Sequence, residues 1–508
     1  MSDDAAMPIG QLSPDRKSRW DGTAWTPSHL LWPAWANLNL RAQPTWIVLV
    51  SALVFGLFAD QALRVGVFGL GATVAVASAT LVLVLVGGLR RVECRLLAAA
   101  AAAFGIWLTV RASPWLLWPD VAATFALLSL AASIAVRGSL LDIGVAEAAA
   151  RSVNAALHGY AGAAFAGRPI IGFRSGLGAV APVARGLLIA IPIAAVLASL
   201  LASADPIFAS FLRLNLDFGQ VALDAVYVLA GALVVAGLLR LAAAAPMDRV
   251  GGPLWRLGTT EALVVLAVLD TIFAAFAIAQ AIGASGTGVD ALRLAGVTYA
   301  DYARSGFFQL LWVAGITLVV LILCSRVTGF AHRRGRVAFT VFAETAIALT
   351  VLIVLVASMR LSLYESAYGF TMLRLYSHLF AGWIAVVFLL HAADLAGVWP
   401  RRRWFVGATA ITALGLLMGL NFANPESVVV GLNTDRAVAT HKIDAQYLSG
   451  LSSDAAPALL ASRSEVDPSL QQEIRTVACA GPHSYAPSPA AFSWADAAAA
   501  NARRRGCD

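Results

Sequence analysis

The chain has 508 residues, of which 59% are hydrophobic and only 13% are charged, and its formal net charge is +7. A soluble protein of this length needs far more charge to cover its surface, so the composition excludes an ordinary soluble globular class. Arginines in the loops between apolar segments account for the basic balance, so we expect no nucleic-acid partner. The expected surroundings are the lipid bilayer.

Eleven apolar segments predict an all-α integral membrane protein. Most of them approach the roughly 20 residues that a helix needs to cross a hydrocarbon layer about 30 Å thick. Their hydrophobicity is continuous rather than alternating, which is typical of helices and not of a membrane barrel. The predicted spans are 45–60, 66–88, 95–111, 114–136, 179–203, 220–241, 258–283, 307–326, 338–358, 376–397 and 404–421.

These spans divide the chain into five regions. They are a Trp-rich N-terminal tail (1–44), spans one to four (45–136), a long loop (137–178), spans five to eleven (179–421) and a C-terminal domain (422–508). In the long loop, Leu140–Leu157 is predicted to form a helix on the inner membrane face, with Glu147 and Arg151 one turn apart.

The C-terminal domain contains three amphipathic patterns that predict short helices. They cover Asp435–Leu451, Asp454–Ser462 and Asp467–Val477, and in the last one Asp467 is the expected N-cap with Pro468 at the first helical position. From Ala480 onward the sequence is rich in Pro, Ser and Ala, and we expect it to be irregular.

Basic residues alternate between the loops. The N-terminal tail and every second loop carry three or four of them, whereas the intervening loops carry one or two. The positive-inside rule therefore predicts a cytoplasmic N-terminus and, with eleven spans, an extracytoplasmic C-terminal domain. Arg304, Arg360 and Arg374 lie on the side where arginine is scarce.

The four cysteines agree with this orientation. Cys94 and Cys324 lie at predicted cytoplasmic ends of spans, where thiols stay reduced. Cys479 and Cys507 both lie in the predicted extracytoplasmic domain, where disulfides persist. We therefore expect a disulfide between Cys479 and Cys507.

Several signatures of enzyme chemistry are missing from the sequence. It contains no Walker-type phosphate loop, no HExxH, no CxxC and no GxSxG. We accordingly expect no metal and no cofactor, and the sequence identifies no catalytic residue. Whether the protein is an enzyme is left open.

Ionisable residues inside the predicted spans are functional candidates, because each is costly in lipid unless it faces protein or water. Asp270 lies near the middle of its span and Glu344 about a third of the way into another, so both are candidates for proton or cation coupling. His391 and Asp394 are one turn apart and are expected to pair. The remaining candidates are Asp120, Arg185, Asp224 and Glu261.

Two Tyr- and Arg-bearing segments enter spans eight and ten from the predicted outer side. If they are helical, Tyr299, Tyr302 and Gln309 share one helix face, and Tyr368, Arg374 and His378 share another. With Arg304, these residues predict a site for a small-molecule anion or a lipid headgroup, since arginine and tyrosine hydroxyls bind phosphate and carboxylate. The alternative interpretation is an aromatic belt with structural salt bridges.

Long motifs connect the sequence to a known family. GVTYADYARSGFFQLLWV, LYESAYGFTMLRLYSHLF, NPESVVVGLNTDR and IDAQYLSGLSSDAAPAL resemble an uncharacterised bacterial multi-pass membrane family, defined as a domain of unknown function, over roughly residues 170–460. The resemblance implies a bacterial cytoplasmic-membrane protein with an extracytoplasmic tail segment. It implies no reaction and no catalytic residues.

Three functions fit these observations. The first is a permease-like or ligand-binding protein with an outward-facing Tyr/Arg site above Asp270. The second is a membrane-embedded enzyme acting on a lipid-linked substrate, with the general plan of polyprenyl-linked glycosyltransferases. The third is a non-enzymatic sensor or assembly partner of another membrane protein, which docks through the C-terminal domain and the 137–178 loop.

Overall fold

The structure is a computed structural model. It describes residues 18–20, 25–27, 38–64, 68–169, 180–204, 208, 218–247, 256–284, 306–400 and 403–507. In this part of the chain, regular structure is almost entirely helical, and a short antiparallel pair, β1 (Ser18–Trp20) and β2 (Trp25–Pro27), lies in the N-terminal tail.

The helices follow one another in the order that the apolar segments predict. They are α1 (Trp46–Arg64), α2 (Leu70–Leu85), α3 (Val92–Val110), α4 (Pro114–Ser133), α5 (Val145–Tyr160), α6 (Gly162–Ala166), α7 (Val180–Ala204), α8 (Phe218–Ala242), α9 (Thr259–Ala284), α10 (Phe307–Val327), α11 (Arg333–Tyr368), α12 (Met372–Leu395), α13 (Phe405–Ala423), α14 (Pro425–Thr440), α15 (Ala445–Ser449), α16 (Ala456–Ser462), α17 (Pro468–Ala478) and α18 (Trp494–Gly506).

Nine helices within the described residues are long and apolar enough to cross a membrane: α1, α3, α4 and α8 to α13. The protein is therefore a multi-pass membrane protein with an all-helical membrane part. The two other predicted spans are also helical, with 16 residues in α2 and 25 in α7. The count of eleven and the orientation stay predictions.

Helix α11 is much longer than its predicted span of 338–358. It has 36 residues, or about 54 Å at 1.5 Å per residue, so it exceeds the hydrocarbon thickness. Nothing after residue 358 interrupts the helix until Gly369, whose φ of 85° ends it. An apolar segment of the sequence marks only the part of a helix that lies in lipid, so the predicted span omits the polar ends of α11.

The two largest hydrophobic cores among the described residues lie between membrane helices. The first lies among α1 to α4 and α8 and includes Leu83, Phe104 and Ala131, each 2% exposed or less. The second lies among α9 to α12 and includes Leu266 and Phe388. Helix α13 packs against both α4 and α12, so it joins the two groups of helices.

The connections lie at two opposite ends of these helices. The end that contains the α2–α3, α4–α5 and α12–α13 connections is called the arginine-rich end. These connections contact one another, because Arg91 donates to the Gly138 carbonyl at 2.6 Å and the Arg403 amide donates to Asp142 at 3.0 Å. We call the arginine-poor end the one that contains the α1–α2, α3–α4 and α11–α12 connections.

The C-terminal domain packs on the arginine-poor end and holds three of its connections. The Leu70 amide donates to the Phe492 carbonyl at 2.9 Å, the Ser113 amide donates to Asp454 at 2.8 Å, and the Phe370 amide donates to Asn433 at 3.0 Å. Because these connections belong to both helix groups, the domain braces one group against the other.

The C-terminal domain is more ordered than its composition predicts. The irregular segment expected after Ala480 contains α18, which Ser493 caps by accepting from the Asp496 amide at 3.3 Å. Alanine is the strongest helix former, which outweighs the Pro- and Ser-rich flank. A disulfide joins Cys479, at the end of α17, to Cys507, at the end of α18.

Candidate functional site between α4, α5 and α13

Helix α5 turns its polar face toward the protein. Glu147, Arg151 and Asn154 are each 5% exposed and His158 is 0% exposed, and their spacing of four, three and four residues puts them on one helix face. The exposed face carries no charge; its residues are Ala146, Ala149, Ser152, Val153, Ala156 and Tyr160. A surface helix of a soluble protein has the opposite arrangement, so this pattern fits a helix whose outer face contacts lipid.

The charges on this buried face are paired. The Arg151 guanidinium donates to Glu147 at 3.0 Å and to the Ser133 hydroxyl of α4 at 2.8 Å. The second oxygen of Glu147 accepts from Arg403 at 2.8 Å. Glu147 thus bridges two arginines and ties α5 to both α4 and the start of α13.

Two glycines allow this close packing. A Cβ on Gly138 would lie 2.7 Å from the Arg151 guanidinium, and the φ of 118° at Gly138 is one that other residues rarely adopt. A Cβ on Gly407 of α13 would overlap the carbonyl oxygen of Leu140. The α4–α5 connection can therefore lie directly on both the arginine and α13.

The polar interior continues from α5 to α8. The Arg240 guanidinium donates to Nδ1 of His158 at 2.6 Å and to the Leu38 carbonyl at 3.2 Å. Arg240 is only 7% exposed. Ionisable side chains inside a membrane protein are costly, so a buried arginine–histidine contact marks a candidate functional site.

A cavity of about 500 Å³ opens between α4, α5 and α13. This volume is within the usual range of small-molecule sites. The lining is mostly apolar, with serines and one arginine added. The residues are Phe125, Ala126, Ser129, Leu130, Ser133, Leu140, Ile143, Ala148, Arg151, Ser152, Ala155, Ala156, Val406 and Ala410.

A second cavity of about 190 Å³ adjoins the first, and Arg151 lines both. The second cavity is charged rather than apolar. Its lining residues are Arg137, Gly138, Ser139, Asp142, Glu147, Arg151, Met247 and Arg403. Three arginines face two carboxylates here, so Arg151 separates an apolar compartment from one with an excess of positive charge.

Sequence reasoning did not identify this site. In the sequence, Arg137, Arg151 and Arg403 count only among the loop arginines that predict the orientation, and Glu147 with Arg151 is only a pair one helical turn apart. The sequence did contain a signal. Glu147, Arg151, Asn154 and His158 are spaced so that they share one face of a helix, and the other residues of that helix are uncharged. Such a stripe indicates a buried polar face when the rest of the chain is in a membrane.

Only part of the predicted Tyr/Arg site falls within the described residues, and that part lies at the other end of the helices. Tyr299, Tyr302 and Arg304 lie outside them. Helix α10 begins at Phe307, after Gly306 with a φ of 95°, and Gln309 on its first turn is exposed. Gln309, Tyr368, Arg374 and His378, the predicted ligand-binding residues that the structure describes, do not line the 500 Å³ cavity.

The prediction that Tyr368, Arg374 and His378 share one helix face is wrong. The chain leaves α11 at Gly369, and α12 begins after Thr371, whose hydroxyl accepts from the Arg374 amide at 3.4 Å. Arg374 instead donates to the carbonyl of Gly369 and lies over the Tyr364 ring at 4.4 Å. Tyr368 contacts that same ring, with centroids 4.7 Å apart. Arg374 thus serves the end of α11.

His378 pairs with a carboxylate that the sequence analysis overlooked. Its Nε2 lies 2.9 Å from Glu365, which is 3% exposed. Glu365 was missed because α11 was predicted to end at residue 358. The other oxygen of Glu365 has no hydrogen-bond partner among the described residues.

The two predicted coupling residues differ in their surroundings. Asp270 is 9% exposed near the middle of α9, and neither carboxylate oxygen has a hydrogen-bond partner within the described chain. Glu344 on α11 is half-buried. No contact between Asp270 and Glu344 is found among the described residues, and their role in coupling stays a prediction.

The expected pairing of His391 with Asp394 is not found. Asp394 pairs with Arg326 at 2.9 Å, at the arginine-rich ends of α12 and α10. His391 is fully buried and lies against Phe405, with the ring centroids 5.2 Å apart and the rings tilted by 55°. An arginine gives a carboxylate a permanent charge partner, which a buried imidazole does not.

Fold and site together define a multi-pass helical membrane protein with an amphipathic cavity beside a charged one. Residues 96–462 match the family model described as "Domain of unknown function (DUF4153)", and since this is more than half of the chain, the protein belongs to that family. The family assignment agrees with the resemblance in the sequence. No curated protein and no solved structure matches the chain.

Proposed function

We propose that this protein binds an anionic amphiphile, a molecule with a lipid-like chain and a negatively charged head, between α4, α5 and α13. One observation carries the proposal: the 500 Å³ apolar cavity and the 190 Å³ charged cavity adjoin at Arg151. An apolar chain in the first cavity gains from leaving water, and an anionic head in the second gains from the arginines.

The charged cavity is suited to an incoming anion because its arginines are not all neutralised. Arg151 and Arg403 share Glu147, whereas Arg137 is exposed and forms no ion pair with any described residue. An anionic head can therefore approach Arg137 without displacing an existing carboxylate. The uncharged outer face of α5 supports entry of the ligand's lipid-like chain from the bilayer.

The test fills the apolar cavity with a large side chain. Ala410→Trp projects an indole from α13 into the cavity, and Ile411→Trp, one residue away, is the matched control because Ile411 is 48% exposed and does not line it. Both proteins are purified in detergent, and retention of dioleoyl phosphatidylglycerol and dioleoyl phosphatidylcholine is compared by native mass spectrometry. Only Ala410→Trp should abolish retention of phosphatidylglycerol.

The head-group contact is tested in the same assay. Arg137→Gln should reduce retention of phosphatidylglycerol roughly twofold to fivefold, as for a partly exposed ion pair, and should leave phosphatidylcholine unchanged. Arg90→Gln is the control, since Arg90 is an exposed arginine of the same end that does not line either cavity. Equal retention of both lipids by all four variants and the native chain contradicts the proposal.

The second candidate is the permease-like activity with an outward-facing site above Asp270. The buried Asp270 carboxylate, without a hydrogen-bond partner in the described chain, supports it, because such a group is suited to taking up a proton or cation. Asp270→Asn should then abolish uptake of substrate while the protein still reaches the membrane. An Asp270→Asn protein with native uptake argues against this candidate.

A further inference from the structure

A second buried polar contact joins α4 to α13 near the arginine-poor end. Asp120 on α4 and Asn421 on α13 are both 0% exposed, and the Asn421 amide nitrogen donates to Oδ1 of Asp120 at 2.7 Å. The remaining side-chain oxygens, Oδ2 of Asp120 and Oδ1 of Asn421, have no hydrogen-bond partner among the described residues. The contact therefore has two unused acceptors.

The donors around this contact are already engaged. Arg111 donates to the main-chain oxygen of Asn421 at 2.9 Å and pairs with Asp454 at 3.4 Å, so its charge is taken by another carboxylate. Tyr376 of α12 donates to the Trp115 carbonyl at 2.8 Å. That carbonyl is free because Pro119, four residues later, has no N–H to offer it. No ion pair of Asp120 is found in the described part of the chain.

We propose that Asp120 binds a proton and forms an acid–amide pair with Asn421. The proton sits on Oδ2, which then donates to Oδ1 of Asn421 while the amide nitrogen continues to donate to Oδ1 of Asp120. One proton satisfies both unused oxygens and removes a buried charge that has no partner. The proposal names a proton-binding site between α4 and α13 and does not depend on the proposed amphiphile site.

The site connects to the C-terminal domain. The ionisable groups packed around it are Arg111 directly after α3, Tyr376 on α12, and Asp454 and Glu426 of the C-terminal domain. Loss of the proton would leave a buried carboxylate beside the amide oxygen of Asn421, and these two groups repel each other. The proton therefore holds α4 and α13 together beneath the domain.

Infrared spectroscopy of the full-length protein in lipid nanodiscs tests this directly. A protonated carboxyl gives a C=O band separate from those of carboxylates and amides, and the band shifts in D₂O. We expect Asp120→Asn to remove such a band. Asp60→Asn is the matched control: Asp60 is 3% exposed but pairs with Arg64 at 3.0 Å, so its replacement should remove no acid band.

A second variant keeps the acid and removes only its partner. In Asn421→Leu the Asp120 band should persist and move to higher frequency, because its C=O loses the N–H donor. If Asp120→Asn does not fold, ¹³C-aspartate labelling of the native chain and of Asn421→Leu identifies the band. The proposal is overturned if the native spectrum has no Asp120 acid band, or if the band has the same frequency in Asn421→Leu as in the native protein.

Discussion

Asp454 joins the C-terminal domain to the membrane helices through an ion pair and two hydrogen bonds. Its side chain is 2% exposed; one oxygen accepts from the Ala112 and Ser113 amides at 2.7 and 2.8 Å, and the other pairs with Arg111 at 3.4 Å. A single carboxylate thus caps the start of α4 and neutralises an arginine. We expect Asp454→Ala to release this part of the domain from the helices.

The size of the effect follows from what the substitution leaves behind. Removing one partner of a buried ion pair costs about 3–5 kcal/mol, and Arg111 is 14% exposed, so we place this case at about 3–4 kcal/mol. At 1.4 kcal/mol per factor of ten, local opening of the α3–α4 connection should become about a hundredfold to a thousandfold more frequent. The two amides lose their acceptor in the same step.

Hydrogen exchange measures this opening without unfolding the membrane part. The peptide that contains the Ala112 and Ser113 amides is followed by mass spectrometry under conditions in which exchange reports the open population. Asp435→Ala is the control, because Asp435 is an exposed carboxylate of the same domain with no ion pair to a described residue. Exchange in Asp454→Ala within about threefold of the native protein would refute the energetic reasoning.

Three further predictions concern stability. Replacing Cys479 and Cys507 by serine should cost about 3.5 kcal/mol, from a loop of 28 residues, and should lower the Tm of the purified protein; a reductant should lower the native Tm but not that of the double variant. Burial raises the pKa of Glu426 above its usual value of 4.5, so the protonated side chain stabilises the fold below pH 4.5 and this stabilisation is lost as pH rises through the raised pKa. In a series of Tm measurements from about pH 4 to 8, Glu426→Gln should therefore show a smaller fall of Tm with pH than the native protein. An equal fall in both proteins argues against this role of Glu426. Asp270→Leu should leave the Tm unchanged or higher because the Asp270 carboxylate has no partner in the described chain, whereas Asp60→Leu should lower it.

The helices of the membrane part could be predicted from sequence because one strong effect decides them. A helix in lipid must be apolar along its length, so the predicted span 307–326 and the observed α10, Phe307–Val327, nearly coincide. The ends that leave the lipid follow weaker rules. That is why α11 continues ten residues past its predicted span and α18 was missed altogether.

The candidate site could not be predicted in the same way, because it depends on which side chains meet. Arg403 and Glu147 pair although they lie 256 positions apart in the sequence, so no local sequence pattern predicts this contact. For Arg374 the sequence predicted a functional role that its contacts in the structure do not support. Its place among tyrosines suggested ligand binding, but a turn at Gly369 directs its guanidinium to the end of α11. A loop glycine inside a motif is a signal that the motif is not one helix.

Helices α4 and α13 carry both proposals, and this arrangement constrains how the protein can work. Ser129 and Ala410 line the cavity, while Asp120 and Asn421 meet nearer the other end. Asp120 and Ser129 are nine residues apart, or about 13 Å along α4. A rigid-body separation of the two helices at Asp120 would alter the cavity at Ser129. If both proposals hold, protonation at one end and occupancy at the other are linked, and by reciprocity each ligand must change the affinity for the other by the same factor.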